Sequence, residues 1–239
     1  MREHQGESIS IVRRLCAEAN VVGFDLVELH GGTGYLLSQF VSPRTNKRSD
    51  SYGGPIENRI KFPLEVLKRV KDTVGDFPVG YRFLVDEWLP DGLKESESIF
   101  LAKSLEQEGI AYISAMGGTY ESFFLPEIVK KAKRVGYMVS LAAAVKKNVG
   151  IPVIVAGRIS TPLKAESILN KNKADLIGLA RMLWVDPDWP QKARNGEDRS
   201  IIKCSPKCDA CFQLVMQGKP AYCPKWVKEK RAIYQGLFQ

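Results

Sequence analysis

Short, almost uninterrupted apolar runs alternate along this chain with longer amphipathic stretches. The apolar runs end near His30, Phe83, Ala115, Ala156 and Leu179. A strand that is apolar on both faces is typical of a parallel sheet covered by helices. The alternation therefore predicts an α/β protein whose five strands form a parallel sheet.

The stretches between the strands predict helices. Pro63 predicts a kink or a late start for the second helix, and Ser96 is expected to cap the third. The polar stretch from His30 to Arg59 shows no obvious helix and is expected to be a long loop. The helical spacing of apolar residues covers 8–22, 56–74, 96–108, 126–148 and 161–170.

Polar residues and glycines stand at the carboxyl ends of the predicted strands. An α/β barrel builds its active site at these strand ends, and a doubly wound sheet also binds ligands there. The strand ends thus predict where a site lies without choosing between the two folds. The residues are His30, Arg82, the Gly117–Gly118 pair, the Gly157–Arg158 pair and Arg181.

One motif tests the doubly wound alternative. Gly32, Thr33 and Gly34 match the start of the Gly-x-Gly-x-x-Gly dinucleotide fingerprint, but Leu37 stands where the third glycine belongs. The following residues run into Pro43 and show no helical pattern. The dinucleotide fingerprint therefore fails.

Hydropathy and charge exclude several classes of protein. The longest apolar runs, such as Ile151–Gly157, are far shorter than the ~20 residues that cross a bilayer, and no signal peptide is visible, so we expect a cytoplasmic protein. The net charge of +8 favours anionic partners such as phosphates. Because these charges interleave along helix faces without an aromatic-rich basic tract, we expect no binding to nucleic acid.

Four of the five cysteines lie close together near the carboxyl terminus, in the pattern Cys-x3-Cys-x2-Cys-x11-Cys. In a chain without a secretion signal, such a group indicates a metal site rather than disulfides. A [4Fe–4S] cluster and a structural zinc ion both take four thiolates, and the tight triplet with a distant fourth cysteine favours iron–sulfur. The residues are Cys204, Cys208, Cys211 and Cys223; Cys16 is expected to be a small core residue.

Arg82 is a charged residue in an otherwise apolar strand. Such a charge is costly unless it meets an anion or another acceptor, so Arg82 either binds a ligand or belongs to a buried ion pair. Arg158 and Arg181 follow the last two strands, where barrels frequently bind phosphate through backbone amides and a short helix. From these residues alone, any phosphorylated ligand fits.

Longer motifs resemble a known family. They are ELHGGTGYLLSQFVSPRTNKRSDSYGGPIENR, PVIVAGRISTPLKAESIL, ADLIGLARMLWVDPDWPQKA and the cysteine group, which together cover nearly all of the chain. They resemble the old yellow enzyme group of NADH:flavin oxidoreductases, most closely its iron–sulfur branch with 2,4-dienoyl-CoA reductase and trimethylamine dehydrogenase. The resemblance implies a TIM barrel of which only strands 4–8 are present. Residues 1–198 would form this part of the barrel, and 199–239 an iron–sulfur segment and tail.

The resemblance also implies roles for individual residues around FMN. His30 would face flavin and substrate, and Tyr35 would protonate the substrate. Thr33 stands where the family commonly has histidine or asparagine as a second donor to the substrate. Arg82 would contact the N1–O2 edge of the flavin. The remaining implied cofactor contacts are Gly118, Gly157, Arg158, Ala180 and Arg181, and the implied cluster ligands are Cys204, Cys208, Cys211 and Cys223.

The implied reaction passes a hydride from reduced flavin to an α,β-unsaturated carbonyl or enoyl thioester, with NAD(P)H as electron donor. A second polypeptide is expected to supply strands 1–3 or electrons, and the protein is expected to be an oligomer. The first cysteine interval departs from the Cys-x2-Cys-x3-Cys of the branch. The alternatives are a non-catalytic electron-transfer or scaffold subunit, and a zinc-stabilised α/β domain that binds another phosphate ligand.

Overall fold

The computed structural model describes residues 2–205 and 208–238, with side chains from residue 9 onward. Its strands form one sheet in the order β1-β2-β3-β4-β5, and every neighbouring pair is parallel. The predicted five-stranded parallel sheet is confirmed. The strands are β1 (Val27–Gly31), β2 (Val79–Asp86), β3 (Tyr112–Gly117), β4 (Val153–Val155) and β5 (Leu176–Ile177).

The strand order follows the chain without reversal. A doubly wound sheet reverses its order at a switch point, whereas the strands of an α/β barrel are added consecutively in one direction. The observed winding is therefore that of the barrel class.

Helices connect the strands and follow the last one. Short 3₁₀ turns cover Ser122–Phe124 and Asp198–Ser200. The α-helices are α1 (Arg2–Val21), α2 (Leu36–Val41), α3 (Ile56–Arg59), α4 (Lys61–Val74), α5 (Glu95–Gln107), α6 (Pro126–Lys131), α7 (Val139–Lys146), α8 (Pro162–Asn170), α9 (Arg181–Val185), α10 (Trp189–Arg194), α11 (Ala210–Met216) and α12 (Lys228–Gly236).

The loop expected after the first strand contains a helix. α2 begins after Tyr35 and ends at Val41, because Ser42 precedes Pro43 and takes an extended conformation. The expectation of a loop without a helix was wrong. Six residues are fewer than two helical turns, so the apolar pattern of α2 is too short to show a period.

Two other helix predictions need correction. Ser96 does not cap α5, since the helix already begins at Glu95 after Lys94. The single helix expected over 126–148 is two helices, separated near Gly136, which has a φ of +72° that glycine adopts easily. The late start at Pro63 is confirmed, because Pro63 is the third residue of α4, where its missing N–H is not needed.

The two faces of the sheet have different surroundings. Successive side chains of a strand point to opposite faces, and Leu29, Tyr81 and Ile113 lie on the face buried in the core, where α5 and α7 pack. His30 and Arg82 are partners in the β1–β2 register and share the other face. The sheet therefore presents a packed face to the helices and a polar face to a cavity.

The segment after residue 199 packs against α9 and its flanks. The indole N–H of Trp226 donates to the carbonyl of Trp184 at 2.7 Å, and the amide of Ile202 donates to Asp186 at 2.8 Å. The division of the chain at residues 198 and 199 stays a prediction. Among the described residues, no helix combines the length and apolar character needed to cross a membrane.

Replacing Tyr81 with phenylalanine is expected to stabilise the protein. The phenol is fully buried, burial raises its pKa, and its hydroxyl has no hydrogen-bond partner among the residues that the structure describes. Removing an unsatisfied buried hydroxyl should raise the free energy of unfolding by about 1 kcal/mol, measured by urea denaturation. Tyr52→Phe is the control, since that hydroxyl donates to Glu65 on the surface and its removal should change little. A less stable Tyr81→Phe variant would contradict the expectation.

Candidate active site

A cavity of about 570 Å³ opens at the carboxyl ends of the strands. Eight of the residues singled out in the sequence line it, so the structure brings most of the expected site together. The eight are His30, Thr33, Arg82, Gly157, Arg158, Ala180, Arg181 and Cys204.

Arg82 forms an ion pair inside the cavity. Its Nε donates to Oε1 of Glu28 at 2.8 Å, and the two side chains are 42% and 22% exposed. The expected ion pair thus exists, but it faces the cavity rather than the core. Tyr112 lies near the same carboxylate: burial, and then Glu28, raise the pKa of its phenol to about 12.

His30 is exposed to the cavity next to this ion pair. Burial and the nearby Arg82 guanidinium lower the pKa of its imidazole, and Glu28 partly opposes this effect. The His30 ring lies 4.8 Å from the ring of Tyr35. A neutral imidazole in this position can donate a hydrogen bond from one nitrogen to a ligand.

Thr33 has an unusual backbone conformation. Its φ is +60°, a region that β-branched residues rarely adopt. Its hydroxyl donates only to the sulfur of Met116, at 3.5 Å, which is a weak hydrogen bond. The hydroxyl is therefore available to a ligand in the cavity.

Tyr35 is paired with a residue that sequence reasoning missed. Its hydroxyl lies 2.7 Å from the hydroxyl of Tyr120, and this hydrogen bond is the main reason that the pKa of Tyr35 is raised. Tyr120 follows β3, whereas Tyr35 precedes α2, so the pair joins two loops at the mouth of the site. A backbone bridge between Thr33 and Thr119 brings these loops together.

Two arginines lie at the far end of the cavity. Arg158 has a φ of +56°, and its Nε donates to the carbonyl of Ala132. Burial and the neighbouring Arg181 lower the pKa of Arg158. Because two like charges lie close together beside Gly157, this end of the cavity favours a multiply charged anion.

Gly118 does not line the cavity. Its φ is +87°, and a Cβ at this position would lie 2.4 Å from the ring of Phe123 and 2.9 Å from that of Trp88. The glycine is needed for this turn and for close aromatic packing. The expected contact between Gly118 and a cofactor stays a prediction.

The four clustered cysteines are free thiols. Burial raises the pKa of Cys204, Arg181 opposes this, and Cys208, Cys211 and Cys223 raise it further. The sulfurs of Cys208, Cys211 and Cys223 are therefore each within electrostatic range of Cys204. Within 2–205 and 208–238, however, no three His, Cys, Asp or Glu side chains are grouped closely enough to hold a metal ion.

A second, apolar groove of about 670 Å³ runs along β1 between α1 and α2. In the described part of the chain β1 pairs only with β2, so its other edge is open. Large apolar side chains around this groove are exposed, among them Leu15, Phe24, Leu26 and Leu36. An apolar surface of this kind beside a free strand edge normally marks an interaction site.

The consecutive parallel strands and the cavity at their carboxyl ends are those of the α/β-barrel class. The sequence profile of the NADH:flavin oxidoreductase / NADH oxidase family matches residues 12–199. The chain belongs to this family.

Named relatives agree with this assignment. The chain is 44% identical to an NADH oxidase of Thermoanaerobacter brockii over 183 residues, covering 76% of this chain and 28% of the relative. It is 37% identical to a metal reductase of Desulforamulus reducens over 222 residues, covering 92% and 33%. The chain thus spans about a third of the length of these relatives.

Solved structures show the same likeness. A 2-naphthoyl-CoA reductase in complex with 2-naphthoyl-CoA has a TM-score of 0.88 at 30% identity, covering 95% of this chain and 34% of that one. A morphinone reductase in complex with tetrahydroNAD has a TM-score of 0.67 at 27% identity, covering 87% and 52%.

Replacing Thr33 with asparagine is expected to stabilise the protein. Asparagine adopts positive φ far more readily than a β-branched residue, so the free energy of unfolding should rise by about 1 kcal/mol. Urea denaturation measures the change. Thr161→Asn is the control, because Thr161 caps α8 at a φ of −132° and both residues cap well. An unchanged or lower stability of Thr33→Asn would show that its backbone is not strained.

Proposed function

We propose that this chain is the FMN-binding part of an NAD(P)H-dependent oxidoreductase that reduces activated alkenes. One observation carries the proposal: a single cavity is lined by His30 and Arg82 from the first two strands and by Arg158 and Arg181, which follow the last two strands of the sheet. This distribution of charged side chains matches a ligand in which a planar, redox-active ring is joined to a phosphate. Membership of the NADH:flavin oxidoreductase / NADH oxidase family supports the same assignment.

The residues present fit FMN in charge and in space. The Arg82 side chain donates from Nε to Glu28, and among the described residues its terminal nitrogens make no hydrogen bond, so they can donate to a ligand. A guanidinium beside the N1–O2 edge of the flavin stabilises negative charge there. At the other end, Arg158 and Arg181 would neutralise the phosphate, and Gly157 allows its close approach. Ala180, between β5 and Arg181, is small enough for the same contact.

When bound, FMN would supply the hydride for the reaction. His30 and the hydroxyl of Thr33 would donate hydrogen bonds to the carbonyl oxygen of the substrate, where negative charge develops. The phenol of Tyr35 would donate a proton to the α carbon. A tyrosine phenol is protonated at neutral pH, and the raised pKa of Tyr35, caused mainly by Tyr120, leaves it so.

The substrate class follows from these donors. An α,β-unsaturated carbonyl or enoyl thioester accepts a hydride at the β carbon and a proton at the α carbon. Its carbonyl oxygen would accept the hydrogen bonds from His30 and Thr33. The 2-naphthoyl-CoA bound by a similar reductase is a thioester, which supports this class. NAD(P)H would return the two electrons to FMN, and the tetrahydroNAD bound by a morphinone reductase is consistent with such a donor.

We further propose that Cys204, Cys208, Cys211 and Cys223 hold a [4Fe–4S] cluster. Four free thiols support it, three of which lie within electrostatic range of Cys204, as does the position of Cys204 in the cavity wall. Zinc is the competing metal, since it also accepts four thiolates. Binding of either metal would draw the sulfurs closer together.

The open edge of β1 supports a further proposal about the barrel. Strands 1–3, supplied by another polypeptide or by a further part of a longer chain, would pair with β1 and cover the apolar groove beside it. The described strands would then be strands 4–8. Such an assembly would also complete the wall of the cavity next to His30, which lines both the cavity and the groove.

The same open edge favours a second function. Without the missing wall, the chain would act as a non-catalytic electron-transfer or scaffold subunit that keeps its cysteine site. Absorption spectra of anaerobically purified protein separate the two functions, because only the first requires stoichiometric flavin.

Arg181→Gln is expected to discriminate between two flavins. The variant should lose about tenfold or more in affinity for FMN, whereas its affinity for riboflavin, which lacks the phosphate, should be unchanged. Quenching of flavin fluorescence measures both. Arg134→Gln, which removes an exposed charge outside the cavity, is the control. Equal losses for FMN and riboflavin would exclude Arg181 from phosphate binding.

Tyr35→Phe is expected to slow only one half of the reaction. Without the phenol, reoxidation of reduced FMN by an enone should slow by about a hundredfold, and reduction of FMN by NAD(P)H should be nearly unchanged. Stopped-flow absorbance follows each half-reaction. Tyr120→Phe keeps the donor and removes only its partner, so its loss should be smaller. Equal loss in both half-reactions would reject Tyr35 as proton donor.

Cys211→Ser is expected to lower bound iron and acid-labile sulfide, because three thiolates hold a [4Fe–4S] cluster poorly. Metal and sulfide analysis of anaerobically purified protein measures this. Cys16→Ala is the control, since Cys16 is buried away from the cysteine group. Unchanged iron in Cys211→Ser would reject this ligand, and zinc in place of iron would reject the cluster.

A further inference from the structure

Glu28 is a charged residue on β1 for which the mechanism above has no use. It is the register partner of Gly80, two residues before His30, and it shares with His30 and Arg82 the face that lines the cavity. A carboxylate at the centre of a cavity suited to anions is costly unless it has a specific role.

Glu28 lies between Arg82 and Tyr112. Its Oε1 accepts from Nε of Arg82 at 2.8 Å, and the Tyr112 phenol is close enough for the Glu28 carboxylate to help raise the pKa of that phenol. The Tyr112 ring lies over Gly80, where a Cβ would come within 2.1 Å of it. The absence of a side chain at Gly80 therefore allows Tyr112 to reach Glu28 across the sheet.

This arrangement orients Arg82. The bond from Nε fixes the plane of the guanidinium, and within the described residues no hydrogen bond from its terminal nitrogens is found. The negative charge of Glu28 also reduces the field that Arg82 exerts on a ligand. Glu28 thus controls both the direction and the strength of the positive charge in the cavity.

We propose that Glu28 is a positioning residue that directs Arg82 toward the flavin and limits how strongly Arg82 favours the reduced, anionic ring. The inference rests on the proposed FMN site. According to this inference, the carboxylate of Glu28 helps to set the midpoint potential of the cofactor without touching the reacting atoms.

Glu28→Gln tests the electrostatic part. The amide oxygen can still accept from Arg82, but the negative charge is removed. The ratio of the affinity for reduced FMN to the affinity for oxidised FMN should therefore be about threefold to tenfold higher in the variant than in wild type. A higher ratio means a more positive midpoint potential. Spectroelectrochemical titration of the FMN-loaded chain measures this ratio. Glu57→Gln, the same charge change on α3 outside the cavity, should leave it unchanged.

A second readout needs no cofactor. The chain has two histidines, so the imidazole of His30 can be followed by NMR in the FMN-free protein. Since Glu28 raises the pKa of His30 against burial and Arg82, Glu28→Gln should lower it further. In Glu28→Asp the carboxylate lies farther from Arg82, so the midpoint potential of FMN and the pKa of His30 should shift in the same directions as in Glu28→Gln, but by less. This variant replaces Glu28→Gln in the test if Glu28→Gln fails to fold.

The outcomes separate the inference from the proposed function. If FMN binds wild type and variants with the same midpoint potential, the inference is overturned and the FMN site stands. If wild type binds no FMN, the proposed function fails and takes the inference with it. A more positive potential in Glu28→Gln, with a smaller shift in Glu28→Asp and none in Glu57→Gln, supports the inference.

Discussion

The parallel pairing of consecutive strands is the constraint on which the site depends. Because β1, β2 and β3 run side by side in one direction, His30 lies next to Arg82 and Arg82 next to Ser114 on the same face. The carboxyl ends of all strands then meet at one edge, where the cavity opens. Loops that are far apart in sequence become neighbours there, as the hydroxyls of Tyr35 and Tyr120 show.

The fold was largely predictable because its signals are local. Apolar runs with helices between them indicate parallel strands without any knowledge of their partners, and the strand count and ends agree with the structure. Errors arose where a signal was short or ambiguous. α2 has too few residues to show periodicity, and Ser96 had the residue type of a cap but lay inside a helix.

The site was predictable in its residues but not in its pairings. Arg82 was recognised because a charge on an apolar strand needs a partner, yet the same reasoning applied to Glu28 would have found that partner on the preceding strand. Tyr120 carried no comparable signal, since a tyrosine in a loop is ordinary and only the folded chain brings it to Tyr35. The conformation of Gly118 and its aromatic neighbours, which give a second reason for this glycine, also became visible only in the folded chain.

The cavity joins two electrostatic environments that would suit different parts of the proposed ligand. At one end Arg82 is compensated by Glu28, which suits a ring whose charge changes during the reaction. At the other end Arg158 and Arg181 repel each other, which suits a permanent anion such as a phosphate. The account therefore predicts the orientation of FMN as well as its presence.

The most direct test is a crystal structure of the chain, with any polypeptide that completes it, grown with FMN. The account predicts the isoalloxazine ring beside His30 and Arg82 and the phosphate between Arg158 and Arg181. Flavin in the reverse orientation, flavin in the apolar groove along β1, or a complex without flavin in this cavity would contradict it.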